Sequence, residues 1–295
     1  MLGHVNLAPV HFRRACAPEG PISRVGWTTV DLYGSTVYQA NAWLKGGLRP
    51  TKRLGLYGDA DGTGTASTPA VARYKAISES LERWAYDGTI GGEDSNRFGF
   101  KVDPTSAGMA AFPGLLSTPA RKAARMEATE RSCLIAWSKG LVASRRRSTE
   151  WAGVEAVQID SPAGGVCVIL FRKNSLGFYA YGHAAAETFV LACRRALVEL
   201  GRNEFILAKA HSGNPSKPSP ANLFERRCLF FSTPEGHERF LSRVGALSTG
   251  AGWQPRILVD AEITGPWSSY AKVWRVLFQP PAQGFLENEL DFFLW

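Results

Sequence analysis

The order of apolar and polar residues near the start of the chain reads as strands. Ile22 to Asp31 (ISRVGWTTVD) and Ser35 to Leu44 (STVYQANAWL) are rich in β-branched and aromatic residues, and Tyr33-Gly34 between them supplies a turn. A Gly/Asp-rich loop, GDADGTG, follows from Gly58 to Gly64. The period then becomes helical. Ser67 and Thr68 are N-cap residues, Pro69 fits the first helical position, and Val71, Tyr74, Ile77, Leu81 and Trp84 form an apolar stripe that Gly88 ends. Ser117-Thr118-Pro119-Ala120 repeats Ser67-Thr68-Pro69-Ala70 and opens a second helix, with Ala123, Met126, Ile135 and Trp137 among its apolar positions and Gly140 closing it. Strands are predicted at Gly153 to Ile159, Gly165 to Phe171 and Leu176 to Tyr181, and a third helix from about Ala184 to Ala210. A Pro/Gly loop, Gly213 to Ser219, comes before further strands at Leu229 to Phe231, Arg256 to Ile263 and Tyr270 to Phe278. The order predicts an α+β protein in one domain, 1–295, whose best internal break lies near 211–222.

Composition narrows the class. With 45% hydrophobic and 20% charged residues the chain has enough apolar surface to fold. No run of about 18 uncharged apolar residues exists to span a membrane. The N-terminal MLGHVNLAPVHFRR lacks the layout of a signal peptide, so a cytoplasmic location is expected. The five cysteines (Cys16, Cys133, Cys167, Cys193, Cys228) are scattered without a C-x-x-C pair, against a zinc site or a disulfide framework. The net charge of +8 is densest at Arg145, Arg146 and Arg147, read as a solvated face or loop. No nucleic-acid partner is expected; attraction for phosphate-bearing small molecules stays open.

The chemistry lies in an acidic pattern on the three helices. The first carries Glu79-Ser80-Leu81-Glu82-Arg83 and the second Glu127-Ala128-Thr129-Glu130-Arg131, the same E-x-x-E-R arrangement. Residues three apart share a helix face, so each pair aims two carboxylates the same way, with Lys75 on the face of Glu79. The third helix offers Arg195 and Glu199, with Arg202 one turn on. Clustered carboxylates repel one another and a hard divalent cation relieves that repulsion; magnesium brings nucleotide phosphates, which arginines clamp. The alternative is a solvent-facing stripe with internal pairs such as Glu79–Arg83.

These residues resemble the YcaO-like family. DLYGSTVYQA is similar to its first strand pair, DGTGTASTPAVARYKAISESLERW to its G-K-G turn and first E-x-x-E-R helix, and PGLLSTPARKAARMEATERS to its second. YGHAAAETFVLACRRALVELGRNEF resembles its R-x-x-x-E helix and SYAKVWRVLFQP a strand near its C-terminus. The likeness is collinear over most of the chain. It implies a YcaO-like fold of mixed sheets with three site-bearing helices, and an enzyme that uses ATP and magnesium to phosphorylate a backbone amide oxygen, giving an azoline, a thioamide or an amidine in a ribosomally made peptide. Carried over by position, Glu79, Glu82, Glu127, Glu130 and Glu199 would face magnesium, and Lys75, Arg131 and Arg195 the nucleotide; no catalytic residue is assigned. The partners implied are a peptide substrate and a separate leader-recognition or nucleophile-delivery protein, since no leader-binding module is evident. A homodimer is also expected.

The chain departs from the family pattern at Gly62-Thr63-Gly64, which lacks the lysine of G-K-G, at Ser132 and at Arg202; the segment between Glu82 and Glu127 is short. A second reading is therefore a catalytically silent relative that binds peptide or a partner. Among the five histidines only His183 lies near the proposed site, with helix capping or a surface position as its default role. Trp84 and Trp137 are expected as core anchors, Cys133 as core packing, and the apolar tail DFFLW should dock rather than stay in water.

Overall fold

Tyr33 and Gly34 both take positive φ (52° and 84°), the turn geometry whose twist matches that of the strands it joins. The computed structural model describes residues 8–49, 56, 58–114, 116–211, 220, 222–246, 253–287 and 289–293. After α1 (Ala8–Ala15), β1 (Ile22–Leu32) and β2 (Ser35–Leu44) pair antiparallel from Leu32–Ser35 outward, and β3 (Gly62–Ala66) joins the far side of β2. Gly62 to Gly64 are thus strand, not loop.

The chain then enters α2 (Pro69–Ile90). Thr68 caps it by accepting from the Val71 backbone N–H, and Pro69 stands at the first position. Gly91, not Gly88, follows its last turn. The Gly88 backbone approaches Trp267, which packs edge-on against Trp84 at 5.8 Å. The stripe is corrected in part: Ile77 and Leu81 are buried, but Val71 is exposed, and Ala72, Ala76 and Ala85 do more of the packing. Small residues win here because β3 passes close beneath the helix.

β4 (Met109–Phe112), too short to be read from the sequence, leads to α3 (Thr118–Ser138), with Gly140 in the left-handed region just past its end. β5 (Ser144–Arg147), β6 (Glu155–Ile159), β7 (Val166–Lys173) and β8 (Tyr179–Ala186) form an antiparallel sheet in that order. The three arginines therefore sit on an edge strand, where charge discourages unwanted pairing. β8 runs later than expected: exposed Leu176 precedes it, and Ala184 to Ala186 belong to it rather than to the third helix, α4 (Phe189–His211).

The remaining elements are α5 (Leu223–Phe231), α6 (Pro234–Leu241), β9 (Ile257–Ile263) and β10 (Lys272–Phe278); β4, β10 and β9 form a third sheet. Leu229 to Phe231 is helix, not strand, because the Asn222 side chain caps α5 at the Glu225 N–H and carries the apolar run into a helical turn. Residues 212–219, most of the expected loop and break, lie outside the described residues.

Cα packing groups the chain into two units: Met1–Lys52, Asp59–Ala128 and Ile257–Leu277 in the first, and Arg53–Gly58, Thr129–Arg256 and Phe278–Trp295 in the second. The boundary inside α3 falls within its acidic motif. Unit one buries Ala40, Ala42, Ala76, Ile77 and Leu81 between its first sheet and α2, and Met109, Ile263, Trp267 and Val273 around its second sheet. Unit two buries Trp137, Ile169, Phe171, Tyr181, Phe231 and Phe240, with Phe292 and Phe293 of the tail inside the same cluster. Trp137 also donates to Ser144 Oγ at 3.0 Å. Four cysteines are buried thiols and Cys16 is exposed. Among the described residues no helix is long and apolar enough to cross a membrane.

The units share a local design. In each, a glycine on the last strand lets the following helix settle onto the sheet: a Cβ on Gly62 would lie 2.2 Å from Ala76 O, and one on Gly182 2.2 Å from Ala196 O. Gly62 faces Ala42 across the ladder as Gly182 faces Leu170. Gly62, Thr68, Lys75, Ala76 and Glu79 stand at one constant sequence offset from Gly182, Thr188, Arg195, Ala196 and Glu199. The chain contains the same strand–helix device twice.

Candidate functional site

In unit one the acidic face of α2 meets β3. Glu79 Oε2 accepts from the Thr63 backbone N–H at 2.7 Å and from Thr63 Oγ1 at 3.1 Å, and Glu79 Oε1 accepts from Arg83 at 2.7 Å. Thr63, at the position where the resemblance expects lysine, thus holds a carboxylate. Lys75 reaches the edge of β3, its Nζ donating to Thr65 O at 2.9 Å.

Glu82 is different. It keeps part of its surface open, yet burial, and then the charges of Glu127 and Glu79, push its carboxyl well above the ordinary carboxylate range; Arg83 pulls partly the other way. Glu127 Oε2 accepts from the Met109 N–H at 3.1 Å. The loop before Met109 is fixed by Arg275 on β10, fully buried, which donates to Phe98 O, Asp103 O and Thr105 O at 2.8 Å each. Unit one therefore brings Glu79, Glu82 and Glu127 within electrostatic reach of one another.

In unit two, Glu130 is held by β8. His183 Nδ1 lies 2.7 Å from Glu130 Oε1, and the Ala185 N–H donates to Oε2 at 3.2 Å. A carboxylate only accepts, so the Nδ1 proton points at Glu130. Arg195 donates to Ala185 O at 3.1 Å, matching Lys75 on Thr65 O in unit one. Glu199 pairs with Arg202 at 2.9 Å and is half exposed. Arg131 places its guanidinium 4.9 Å from the Phe285 ring centre and 5.6 Å from that of Phe224.

The chain is similar to YcaO from Methanopyrus kandleri bound with AMPPCP and Mg2+, at 14% identity and a TM-score of 0.57, over 95% of this chain and 91% of that one. It is also similar to chains of the E. coli microcin synthetase McbBCD complex. With pro-MccB17 bound the identity is 12% and the TM-score 0.52 over 85% and 86% of the two chains; in the other structure of the complex they are 13% and 0.53 over 86% of each. The chain has the YcaO fold. No family model matches the sequence, and neither does any curated protein. At these identities the likeness establishes the YcaO fold, while roles at the site rest on this chain's own geometry.

Within that YcaO fold, the donor sets separate the five glutamates. Glu79 and Glu130 each have both oxygens engaged by protein donors. Glu82 is disfavoured as an anion by burial and then by Glu127 and Glu79, with Arg83 offsetting only part of this, and a hard cation fits there chemically. Among the described residues no three His, Cys, Asp or Glu side chains make a closed metal cage. Magnesium differs from zinc in this respect, since it commonly takes one or two carboxylates and completes its shell with water and phosphate.

The helix-face reading located the carboxylates but not their holders. The roles of Thr63, Met109 and Arg275 are not legible in the sequence, because long-range pairing brings each of them to its partner. His183 is not a helix cap; it lies inside β8.

Proposed function

We propose that this chain is an ATP- and magnesium-dependent enzyme that activates a backbone amide of a ribosomally made peptide. The observation that carries the reading is the recessed Glu82 carboxyl, forced toward its neutral form by burial and by Glu127 and Glu79. Magnesium-bound ATP would supply a phosphoryl group to the amide oxygen, turning a poor leaving group into a good one and opening the route to an azoline, a thioamide or an amidine.

The chain's own residues would prepare that chemistry. Glu82 and Glu127 would hold a cation with Glu79 beside them in unit one, and Glu130 and Glu199 would serve as magnesium-facing carboxylates of unit two. Glu79, braced by Thr63 and Arg83, would keep its orientation as charge develops nearby. Lys75, Arg131 and Arg195 would meet the phosphates, and the net positive charge of the chain favours approach of a polyanion. A partner protein would deliver the peptide or the nucleophile.

A second reading, a silent relative that binds peptide or a partner, is favoured by Thr63 replacing the lysine of the G-K-G pattern. Phosphate release from ATP decides between them, measured with Cys-, Ser- and Thr-containing peptides, with and without sulfide. The proposal expects peptide-stimulated release that falls roughly a hundredfold in Glu82→Gln/Glu127→Gln. A wild type that binds Mg-ATP yet releases no phosphate with any peptide supports the silent relative.

A further inference from the structure

The two strand–helix devices agree in their glycines, their helix-cap threonines and their strand-capping cations, and they diverge at one position that faces a carboxylate. Thr63 in β3 and His183 in β8 stand at the shared offset. Thr63 holds Glu79, the carboxylate of the helix that follows it. The residue matching Glu79 is Glu199, which pairs with Arg202. The longer imidazole reaches Glu130 on α3, and the Ala185 N–H takes the second oxygen.

We infer that His183 is a positioning residue that, together with the Ala185 N–H, fixes the Glu130 carboxylate as Thr63 fixes Glu79. Two observations support this independently. The geometry is a two-point clamp, a side-chain donor on one oxygen and a backbone donor on the other, so both rotation and tilt of the carboxylate are set. The repeat shows the same strand position serving a carboxylate in both units. A carboxylate clamped in this way loses little conformational freedom when a cation arrives, so the clamp favours binding. Outer partners of this kind tune metal affinity without touching the ion. The inference rests on the proposed reading of Glu130 as facing magnesium.

The test is calorimetric titration with AMPPCP, with and without Mg2+, on wild type, His183→Ala and His183→Asn. Asn places a side-chain N–H near where the histidine Nδ1–H stood. The Mg2+-dependent affinity should fall roughly tenfold in His183→Ala and return to within about threefold of wild type in His183→Asn, while binding without Mg2+ stays unchanged in both. Wild-type affinity in His183→Ala, or an equal loss in the two variants, overturns the inference. If wild type shows no Mg2+-dependent binding, the parent reading fails. The clamp is then judged by urea unfolding of Glu130→Gln, His183→Ala and the double variant. Non-additive midpoints uphold it and additive ones overturn it.

Discussion

Glu82 and His183 show how much a residue's surroundings add to its identity. The E-x-x-E spacing announces both acidic pairs, yet nothing in the spacing says that Glu79 is braced by a strand while Glu82 is left against other negative charge. That distinction has a measurable consequence. A carboxyl whose folded pKa is raised favours the fold at acidic pH; the benefit disappears as pH climbs from the ordinary value of 4.5 through the raised one. Above that window ionised Glu82 opposes folding of the cation-free protein. Glu82→Gln should therefore melt at a higher temperature than wild type at pH 8, with the gap closing toward pH 4; an equal or lower melting temperature at pH 8 would refute this placing of Glu82. The thiols offer a second check at this scale. Cys16 alone among the five is exposed, while the hydrogen bond with the neighbouring Cys133 thiol, and then burial, push Cys167 well up. An aromatic disulfide reagent should titrate one thiol in the native protein and all five in denaturant.

At the level of elements, caps and turns were the most legible signals, because they are local. Tyr33-Gly34, the Thr68-Pro69 start and the bounds of β2 are legible in the sequence for this reason. Pattern misleads where burial overrides it. Val71 fits a helical stripe but lies outside the contact, since the α2 interface is built from alanines lying over Gly62 and Gly64. Leu229 to Phe231 is an apolar run whose period does not separate strand from helix; the Asn222 cap decides it. Residues Ala184 to Ala186 continue β8 because their backbone pairs with β7, a long-range fact. The glycine contacts are the element-scale test. Gly182→Ala would put a methyl group against the α4 backbone, which cannot retreat as a flexible side chain would. The urea midpoint should drop by the equivalent of about 1–3 kcal/mol, and an unchanged midpoint would mean that α4 does not lie close on β8 as described.

On the scale of the whole molecule, the chain divides its acidic helices between two units that reuse one strand–helix device, and the boundary runs through the second motif, with Glu127 in one unit and Glu130 in the other. The collinear motifs did anticipate the YcaO fold. The central claim is that Glu82 and Glu127 hold a divalent cation beside a nucleotide. Manganese, a spectroscopically visible substitute for magnesium, tests it most directly: its electron paramagnetic resonance is followed on titration into protein with AMPPCP, for wild type and Glu82→Gln/Glu127→Gln. The account predicts tightly bound manganese in wild type and its loss in the double variant; a double variant that holds manganese as firmly as wild type contradicts it.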